Sequence, residues 1–241
     1  MNEIIKEIDG DAGFYDKLII NKKEIQILKK IINEKYSEVI SKQEKKEEKI
    51  EEYIKLIKKE KISDNKLWTK KNRMLKIESV KIIKELNFYK ELEKNFKEIK
   101  ITNEENIEEE EMYWRIVRPE NMGGDSDVGP AHADSWFWNE KNNIIGKRRI
   151  KIWISIIGDK ENSGFKYIFG SHKKKWNYQT EIVEGKIKPK KDKNLEKEKF
   201  EILKIKRGGT IIFNDNLIHG GYALKNTIRV SLEWTMLINE E

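Results

Sequence analysis

Apolar residues recur with two different periods along the chain, and the period changes near residue 105. Over residues 18–100, isoleucine and leucine recur every three or four positions among lysine and glutamate, which is the spacing of amphipathic helices. Over residues 113–237, short apolar runs alternate with polar residues between glycine turns, a pattern typical of sandwiches and barrels. We therefore predict one domain, with a helical support region over 1–105 and a strand-rich catalytic core over 106–241.

Two predicted strands indicate which face of the sheet each side chain occupies. In the last strand, residues 228–237, even positions are apolar and odd positions polar, so Arg229 and Ser231 share one face. In a middle strand, residues 149–157, isoleucines at even positions oppose Trp153 and its odd-numbered neighbours. The apolar face needs a cover, which the upstream helices can supply, and the polar face then lines the interior. This predicts an α+β fold, a double-stranded β-helix (jelly-roll, cupin-like) core with the helical region packed on its larger sheet.

Residues 41–62 are the most densely charged part of the helical region. Ile50, Tyr53, Ile54 and Ile57 form a narrow apolar stripe within it, which indicates a solvated helix that packs along one edge. Helical support is the preferred interpretation of this segment, and a partner-binding coiled coil is the alternative.

Composition excludes several classes of protein and site. The 50 basic residues are diluted by 43 acidic ones within the same runs, which argues against a nucleic-acid-binding surface. The absence of cysteine excludes disulfides, thiolate metal sites and a cysteine nucleophile. The amino terminus lacks the order of a signal peptide, and no apolar run approaches the ~20 residues that cross a bilayer. We therefore expect a cytoplasmic protein that binds neither nucleic acid nor membrane.

Candidate metal ligands occur at two places in the strand-rich half. His132 and Asp134 are two residues apart on a predicted strand, so their side chains share one face. His219 follows 85 residues after Asp134, and Arg229 stands ten residues further on. Two histidines and a carboxylate leave three coordination positions open, as a non-haem Fe(II) oxygenase requires. The guanidinium of Arg229 would bind a carboxylate of a dicarboxylic cosubstrate through two parallel hydrogen bonds.

These residues also carry a resemblance to a known family. The segments 130–134, 162–172, 219–221 and 229–231 read PAHAD, NSGFKYIFGSH, HGG and RVS. They resemble the Fe(II)/2-oxoglutarate-dependent dioxygenases and, within them, the phytanoyl-CoA dioxygenase-like group.

The resemblance implies a reaction and a role for each matching residue. Fe(II) would be held by His132, Asp134 and His219, and the distal carboxylate of 2-oxoglutarate by Arg229 and Ser231. With O2 as the second cosubstrate, 2-oxoglutarate would be decarboxylated to succinate and CO2 while a small-molecule or carrier-bound substrate is hydroxylated. Related halogenases carry a small residue in place of this carboxylate so that chloride can bind, so Asp134 favours hydroxylation.

Four other side chains have both a functional and a structural interpretation. Trp153 faces the predicted interior, where it walls the cosubstrate pocket or packs in the core. His172 contacts 2-oxoglutarate or substrate, or else fixes the backbone of its loop. Arg115 and Arg118 have opposite parity on one strand, so at most one should point inward, and a surface salt bridge is the preferred account.

Two other functions are alternatives to the dioxygenase. The first is a cupin-like metal-dependent isomerase or lyase that uses the same triad without 2-oxoglutarate. Arg229 argues against it, because an enzyme without this cosubstrate needs no buried guanidinium there. The second is a non-catalytic binding protein with a helical interaction arm at residues 41–62.

Overall fold

Helices occupy most of the first hundred residues of the computed structural model, which describes residues 2–44, 49–58, 67–103, 107–137, 145–158, 163–183, 186–190 and 195–239. In chain order the helices are α1 (Glu3–Ile8), α2 (Lys22–Glu44), α3 (Tyr53–Lys58), α4 (Lys70–Arg73), α5 (Ile77–Lys84) and α6 (Asn87–Phe96). None of the helices in these ranges is both long enough and apolar enough to span a bilayer.

The strands in the same ranges form two antiparallel sheets and a separate hairpin. In chain order they are β1 (Phe14–Tyr15), β2 (Ile99–Thr102), β3 (Met112–Val117), β4 (Lys147–Ile157), β5 (Lys166–Tyr167), β6 (Thr180–Val183), β7 (Lys186–Pro189), β8 (Glu201–Ile202), β9 (Thr210–Asn214), β10 (His219–Gly220) and β11 (Arg229–Asn239). The larger sheet has the order β1-β9-β4-β11-β2, with β3 also paired to β11. The smaller sheet has the order β10-β5-β8, and β6 pairs with β7. The fold is therefore mixed, with helices and antiparallel sheets.

The alternation predicted for β4 and β11 is confirmed. From Ile150 onward in β4 and throughout β11, the even-numbered residues belong to the main hydrophobic core, which also contains the buried faces of the helices. In the antiparallel pairing of the two strands, Ser231 lies opposite Ser155 and Glu233 opposite Trp153. Opposed residues project from the same face of a sheet, so the odd positions of both strands line the inner face.

An aromatic cluster joins the helical layer to the outer face of β3. The rings of Tyr36 and Trp68 lie 6.4 Å and 5.1 Å from that of Trp114, and the indole N–H of Trp68 donates to the Tyr53 hydroxyl at 2.7 Å. Ile50 and Tyr53 are buried, so the apolar stripe predicted in residues 41–62 packs on the core. The long helix predicted there is interrupted at Lys49, whose backbone is extended. Residues 45–48 and 59–62 lie outside the described ranges.

Local structure differs from the prediction in three places. β1 and β2 come from the region predicted to be helical, and they pair with β9 and β11 of the larger sheet. The stretch that contains His132 is not a full strand, because only His132 forms a bridge before a 3-10 helix begins at Asp134. Pro130 lacks the N–H that a longer ladder would need. The β6-β7 hairpin was not predicted, since its short, lysine-rich strands lack a long alternating apolar pattern.

Candidate active site

The backbone holds His132 and His219 directly opposite each other. Their amide and carbonyl groups exchange two hydrogen bonds of 2.9 Å, which add His132 to the edge of the smaller sheet next to β10. Because opposed residues share a face, the two imidazoles meet, with ring centroids 4.8 Å apart. Asp134 begins the 3-10 helix Asp134–Phe137, and this turn brings its carboxylate to the same point. One ligand atom from each of the three side chains lies within 4.8 Å of the other two.

The hydrogen bonds of the imidazoles direct their remaining nitrogens at Asp134. Nδ1 of His132 is 2.8 Å from the Pro130 carbonyl oxygen, and Nδ1 of His219 is 3.0 Å from that of Leu217. We assign the proton to Nδ1 in both rings because carbonyl oxygens only accept, which leaves the Nε2 lone pairs available. Nε2 of His132 lies 3.5 Å from Oδ1 of Asp134, and Nε2 of His219 lies 3.9 Å from Oδ2.

This donor set fits a divalent first-row metal ion. Oδ2 of Asp134 is buried and finds no hydrogen-bond partner in the part of the chain that the structure describes. Burying a carboxylate oxygen without a partner costs free energy that a bound cation offsets. Two imidazole nitrogens and one carboxylate that converge in this way are the ligands of the facial-triad sites.

The charges around the triad favour the protonation states that metal ligands need. Burial by itself would raise the pKa of Asp134, but the ammonium of Lys151 and the imidazoles of His219 and His132 hold that pKa well below its usual range. Burial disfavours the charged form of His219 and lowers its pKa to about 4, although the negative charge of Asp134 opposes this shift. At pH 7 the carboxylate is therefore ionised and the His219 ring neutral, as metal binding requires.

Lys151 is a residue of this site that sequence analysis missed. It lies on the inner face of β4 with 4% of its surface exposed, and its Nζ is 3.8 Å from Oδ2 of Asp134. The same ammonium donates a hydrogen bond of 2.7 Å to the Tyr113 hydroxyl on β3. Because the chain is rich in lysine, the presence of a lysine at this position does not by itself indicate a functional site. The alternation of β4 placed Lys151 on the inner face with Trp153, but it indicated no role for Lys151 in the site.

Arg229 is buried at the start of β11, with 2% of its surface exposed. Its Nη1 donates to the Gly164 carbonyl oxygen at 2.7 Å, whereas its buried Nε has no hydrogen-bond partner within the described ranges. Burial lowers the pKa of Arg229 to about 10, against the opposing charge of Glu233, so the guanidinium stays charged at pH 7. A buried cation with an unpartnered N–H suits an anionic ligand such as a carboxylate.

Two glycines give the Arg229 guanidinium its space. A Cβ at Gly164 would lie 1.6 Å from the Leu203 carbonyl oxygen, so only glycine allows the close approach of these two segments. A Cβ at Gly221 would lie 2.9 Å from Nη2 of Arg229 and 2.7 Å from a methyl group of Val128. Both positions therefore help to determine where the guanidinium lies.

Aromatic rings extend from Arg229 to the triad. The Trp153 ring lies 5.8 Å from Cζ of Arg229 and 6.2 Å from the ring of Phe165. Phe165 in turn lies 5.4 Å from the imidazole of His219, and the ring of Phe213 lies 4.7 Å from it. Trp153 faces the interior as predicted, and it belongs to a small apolar cluster there. The two interpretations of Trp153, pocket wall and core residue, are thus compatible.

Ser231 shares the inner face with Arg229 as predicted, but its hydroxyl already has an anionic partner. Its Oγ donates to Oε1 of Glu233 at 2.6 Å, and Nε of Arg115 lies 3.4 Å from the same oxygen. Arg115 is therefore the inward-facing arginine of β3. Arg118 instead forms an ion pair of 2.7 Å with Asp127.

His172 contacts the amino-terminal segment. Its Nε2 lies 2.9 Å from the Gly10 carbonyl oxygen, and a Cβ on Gly13 would lie only 2.5 Å from its Nδ1. Burial lowers the pKa of His172. This arrangement matches the structural alternative, a histidine that fixes backbone, and a contact with cosubstrate or substrate stays a prediction.

Comparison with known proteins identifies a family. A family model described as Phytanoyl-CoA dioxygenase (PhyH) matches residues 38–229, a span that includes His132, Asp134, His219 and Arg229. A search of curated proteins finds no match.

Three solved structures illustrate the similarity of fold. The non-heme alpha ketoglutarate dependent carbocyclase SnoK from nogalamycin biosynthesis is 8% identical, with a TM-score of 0.56 over 99% of this chain and 84% of that chain. EctD from S. alaskensis is 12% identical, with a TM-score of 0.53 over 95% and 73%. AviO1 from Streptomyces viridochromogenes Tue57 is 10% identical, with a TM-score of 0.51 over 97% and 92%.

Proposed function

Because the chain belongs to the phytanoyl-CoA dioxygenase (PhyH) family and is thus an Fe(II)- and 2-oxoglutarate-dependent dioxygenase, we propose that it hydroxylates a small-molecule or carrier-bound substrate. The observation that carries this proposal is the convergence of two imidazoles and one carboxylate within 4.8 Å. The carboxylate at Asp134 supports hydroxylation rather than halogenation, because it takes a coordination position that a halide would need.

We assign Fe(II) to His132, Asp134 and His219, and the distal carboxylate of 2-oxoglutarate to Arg229. The aromatic rings of Trp153 and Phe165, which extend from the guanidinium to the triad, support this assignment because they would flank a molecule bound between the two. Iron and 2-oxoglutarate together supply the activation of O2 that hydroxylation needs, with succinate and CO2 as coproducts. The chain's own residues bind and orient these groups.

The strand order supports the jelly-roll architecture proposed for residues 106–241. Four strands of the larger sheet are adjacent in the order β9-β4-β11-β3, and four segments of the smaller side are adjacent in the order His132-β10-β5-β8. Two facing antiparallel sheets of this kind are the layers of a double-stranded β-helix. We further propose that residues 1–105 support this core within a single domain, because one hydrophobic core contains residues of both parts.

Structures of EctD support the cofactor assignment by analogy. One contains bound Fe, and another contains 2-oxoglutarate and 5-hydroxyectoine. Family membership and the unpartnered Nε of Arg229 favour the dioxygenase over the cupin-like isomerase or lyase. Membership of an enzyme family also disfavours a purely binding role for the arm at residues 41–62.

The test is an anaerobic titration of Fe(II)-loaded protein with 2-oxoglutarate, followed by the visible charge-transfer band of a chelated keto acid. We expect the band in the wild type, its loss in Asp134→Ala because the metal site is broken, and a weaker band in Arg229→Ala. The half-saturating 2-oxoglutarate concentration in Arg229→Ala should rise about 10- to 100-fold, since a charge-assisted carboxylate contact is removed.

Arg207→Ala is the matched control, because Arg207 is exposed in a turn outside the site. It should leave the titration unchanged. If the wild type binds iron and shows no band, the cupin-like enzyme becomes the better hypothesis.

A further inference from the structure

Lys151 is a buried cation placed beside a group that we assign to a metal cation. Its side chain is only 5% exposed, and its Nζ lies 3.8 Å from Oδ2 of Asp134. The other carboxylate oxygen, Oδ1, lies 3.5 Å from Nε2 of His132, and Oδ2 itself also lies 3.9 Å from Nε2 of His219. The two ends of the carboxylate are thus in different electrostatic surroundings, with an ammonium near one oxygen.

A hydrogen bond across the larger sheet determines where this ammonium lies. Lys151 is on β4, opposite Thr235 of β11, and its Nζ donates a hydrogen bond of 2.7 Å to the Tyr113 hydroxyl on β3. A lysine buried in this way has lost most of its rotamer freedom, so its charge is fixed in position.

We propose that Lys151 is a positioning residue that acts through Asp134. Its ammonium attracts Oδ2 toward β4 and thereby limits how the carboxylate engages a metal ion. The same positive charge increases the attraction of the site for an anionic cosubstrate. This inference rests on the proposed function, because it takes Asp134 to be a metal ligand and 2-oxoglutarate to be the cosubstrate.

The proposal makes predictions of opposite sign for a cation and an anion. Without the ammonium, the site repels a divalent cation less, and both oxygens of the Asp134 carboxylate are available to it. The cation should therefore bind more tightly. The 2-oxoglutarate dianion should bind more weakly for two reasons. It loses the attraction of a nearby positive charge, and the second carboxylate oxygen of Asp134 competes with it for a position on the metal ion. General damage to the site would instead weaken the binding of both ligands.

Lys151→Met tests this, because methionine retains an unbranched apolar chain and removes the charge. Mn(II) affinity is measured by the electron paramagnetic resonance signal of free Mn(II), and 2-oxoglutarate affinity by the charge-transfer titration with Fe(II). We expect Mn(II) to bind about threefold more tightly and 2-oxoglutarate about tenfold more weakly than in the wild type. Lys151→Arg, which keeps the charge, should restore both affinities to within about twofold of the wild type.

Two further variants sharpen the comparison. Lys147→Met makes the same substitution on the same strand, where Lys147 pairs with Glu98 at 2.8 Å, and it should change neither affinity. Tyr113→Phe removes the hydroxyl that receives the Lys151 hydrogen bond, and both affinities should shift in the same directions as in Lys151→Met but by less. Thermal unfolding of each variant checks that it is folded.

The proposal is overturned if Lys151→Met weakens the binding of both Mn(II) and 2-oxoglutarate, or if it leaves either affinity unchanged. It is also overturned if Lys151→Arg has the same affinities as Lys151→Met. A wild-type protein that binds metal but shows no response to 2-oxoglutarate would contradict the proposed function. The Mn(II) measurement would still decide the role of Lys151 in that case, because an unchanged or lower affinity in Lys151→Met overturns it.

Discussion

In the candidate site, backbone carbonyl oxygens bind one nitrogen of each imidazole and of the Arg229 guanidinium. The remaining nitrogens are therefore the ones available to ligands. The Nδ1 atoms of His132 and His219 face backbone carbonyl oxygens, which leaves Nε2 of each ring to face Asp134. At Arg229 one guanidinium nitrogen is used by the Gly164 carbonyl and Nε is not. The binding capacity of these residues therefore depends on which hydrogen bonds the chain makes around them.

Gly221→Ala tests how closely the Arg229 guanidinium is positioned. The added methyl would lie 2.9 Å from Nη2 of Arg229 and 2.7 Å from Val128, so one of these side chains must move. We expect 2-oxoglutarate affinity to fall about threefold to tenfold while metal affinity stays the same, because the triad is not displaced.

Gly129→Ala is the control for this substitution, since a Cβ at Gly129 meets nothing within 4 Å. The charge-transfer titration measures both variants. Equal 2-oxoglutarate affinity in Gly221→Ala and the wild type would show that the guanidinium tolerates displacement.

Among the elements, β11 links the hydrophobic core to the candidate site. Its even-numbered residues pack in the main core, and its odd-numbered residues, from Arg229 to Thr235, line the inner face. It pairs with β4 along one side and with β3 and β2 along the other. A change in the register of this strand would exchange the two faces, so the packing of the helices on its outer side also maintains the inner one.

Trp114→Ala tests the contribution of the helical layer. Trp114 is fully buried on the outer face of β3 beneath Tyr36 and Trp68, so truncation leaves a large cavity. The free energy of unfolding should fall by about 3–5 kcal/mol, as measured by urea denaturation followed by circular dichroism.

Ile182→Ala provides the comparison, because Ile182 on β6 is 77% exposed and its truncation should change stability little. A decrease of under about 1 kcal/mol in Trp114→Ala would mean that the layer can collapse around the missing side chain.

Across the whole molecule, the rim of the larger sheet brings charged side chains close together. Arg148, Arg149 and Asp215 line a cavity of about 600 Å³ at the start of β4 and the end of β9, and the triad is not part of its lining. The backbone oxygen of Asp215 accepts a hydrogen bond of 2.9 Å from Ser135, next to Asp134. Burial and the negative charge of Asp134 raise the pKa of Asp215 to about 6, against the opposing charge of Arg149.

Asp215→Asn should therefore stabilise the metal-free protein in a pH-dependent way. The pKa of Asp215 in the folded state, about 6, is above its ordinary value of 3.8, so the folded state binds more protons than the unfolded state between these pH values. Above pH 6, ionisation of Asp215 destabilises the folded state. Asparagine resembles the protonated acid. At pH 7.5 the variant should be more stable than the wild type by about 1–3 kcal/mol, and the difference should shrink as the pH falls from 6 to 4.

Urea denaturation at pH 7.5 and pH 4.5 measures this difference, with Asp125→Asn, at an exposed position, as the control. Equal stabilities of Asp215→Asn and the wild type at pH 7.5, or a difference that does not vary with pH, would contradict the prediction.

Local sequence determined the features that depend on periodicity and residue type. The two-residue alternation in β4 and β11 assigned the isoleucines to the core and Arg229, Ser231 and Trp153 to the inner face, because successive side chains of a strand point to opposite sides. The residue types of the triad and their order along the chain indicated a metal site, because imidazole and carboxylate groups are good ligands for divalent metals.

Only the tertiary structure decided which distant groups meet. The contact of Lys151 with Asp134 and Tyr113, the ion pair of Arg115 with Glu233, and the contact of His172 with Gly10 each join separate segments. The entry of β1 and β2 into the larger sheet is of the same kind. Such contacts depend on strand register and on the paths of connecting loops, and a local pattern of apolar and polar residues carries information about neither.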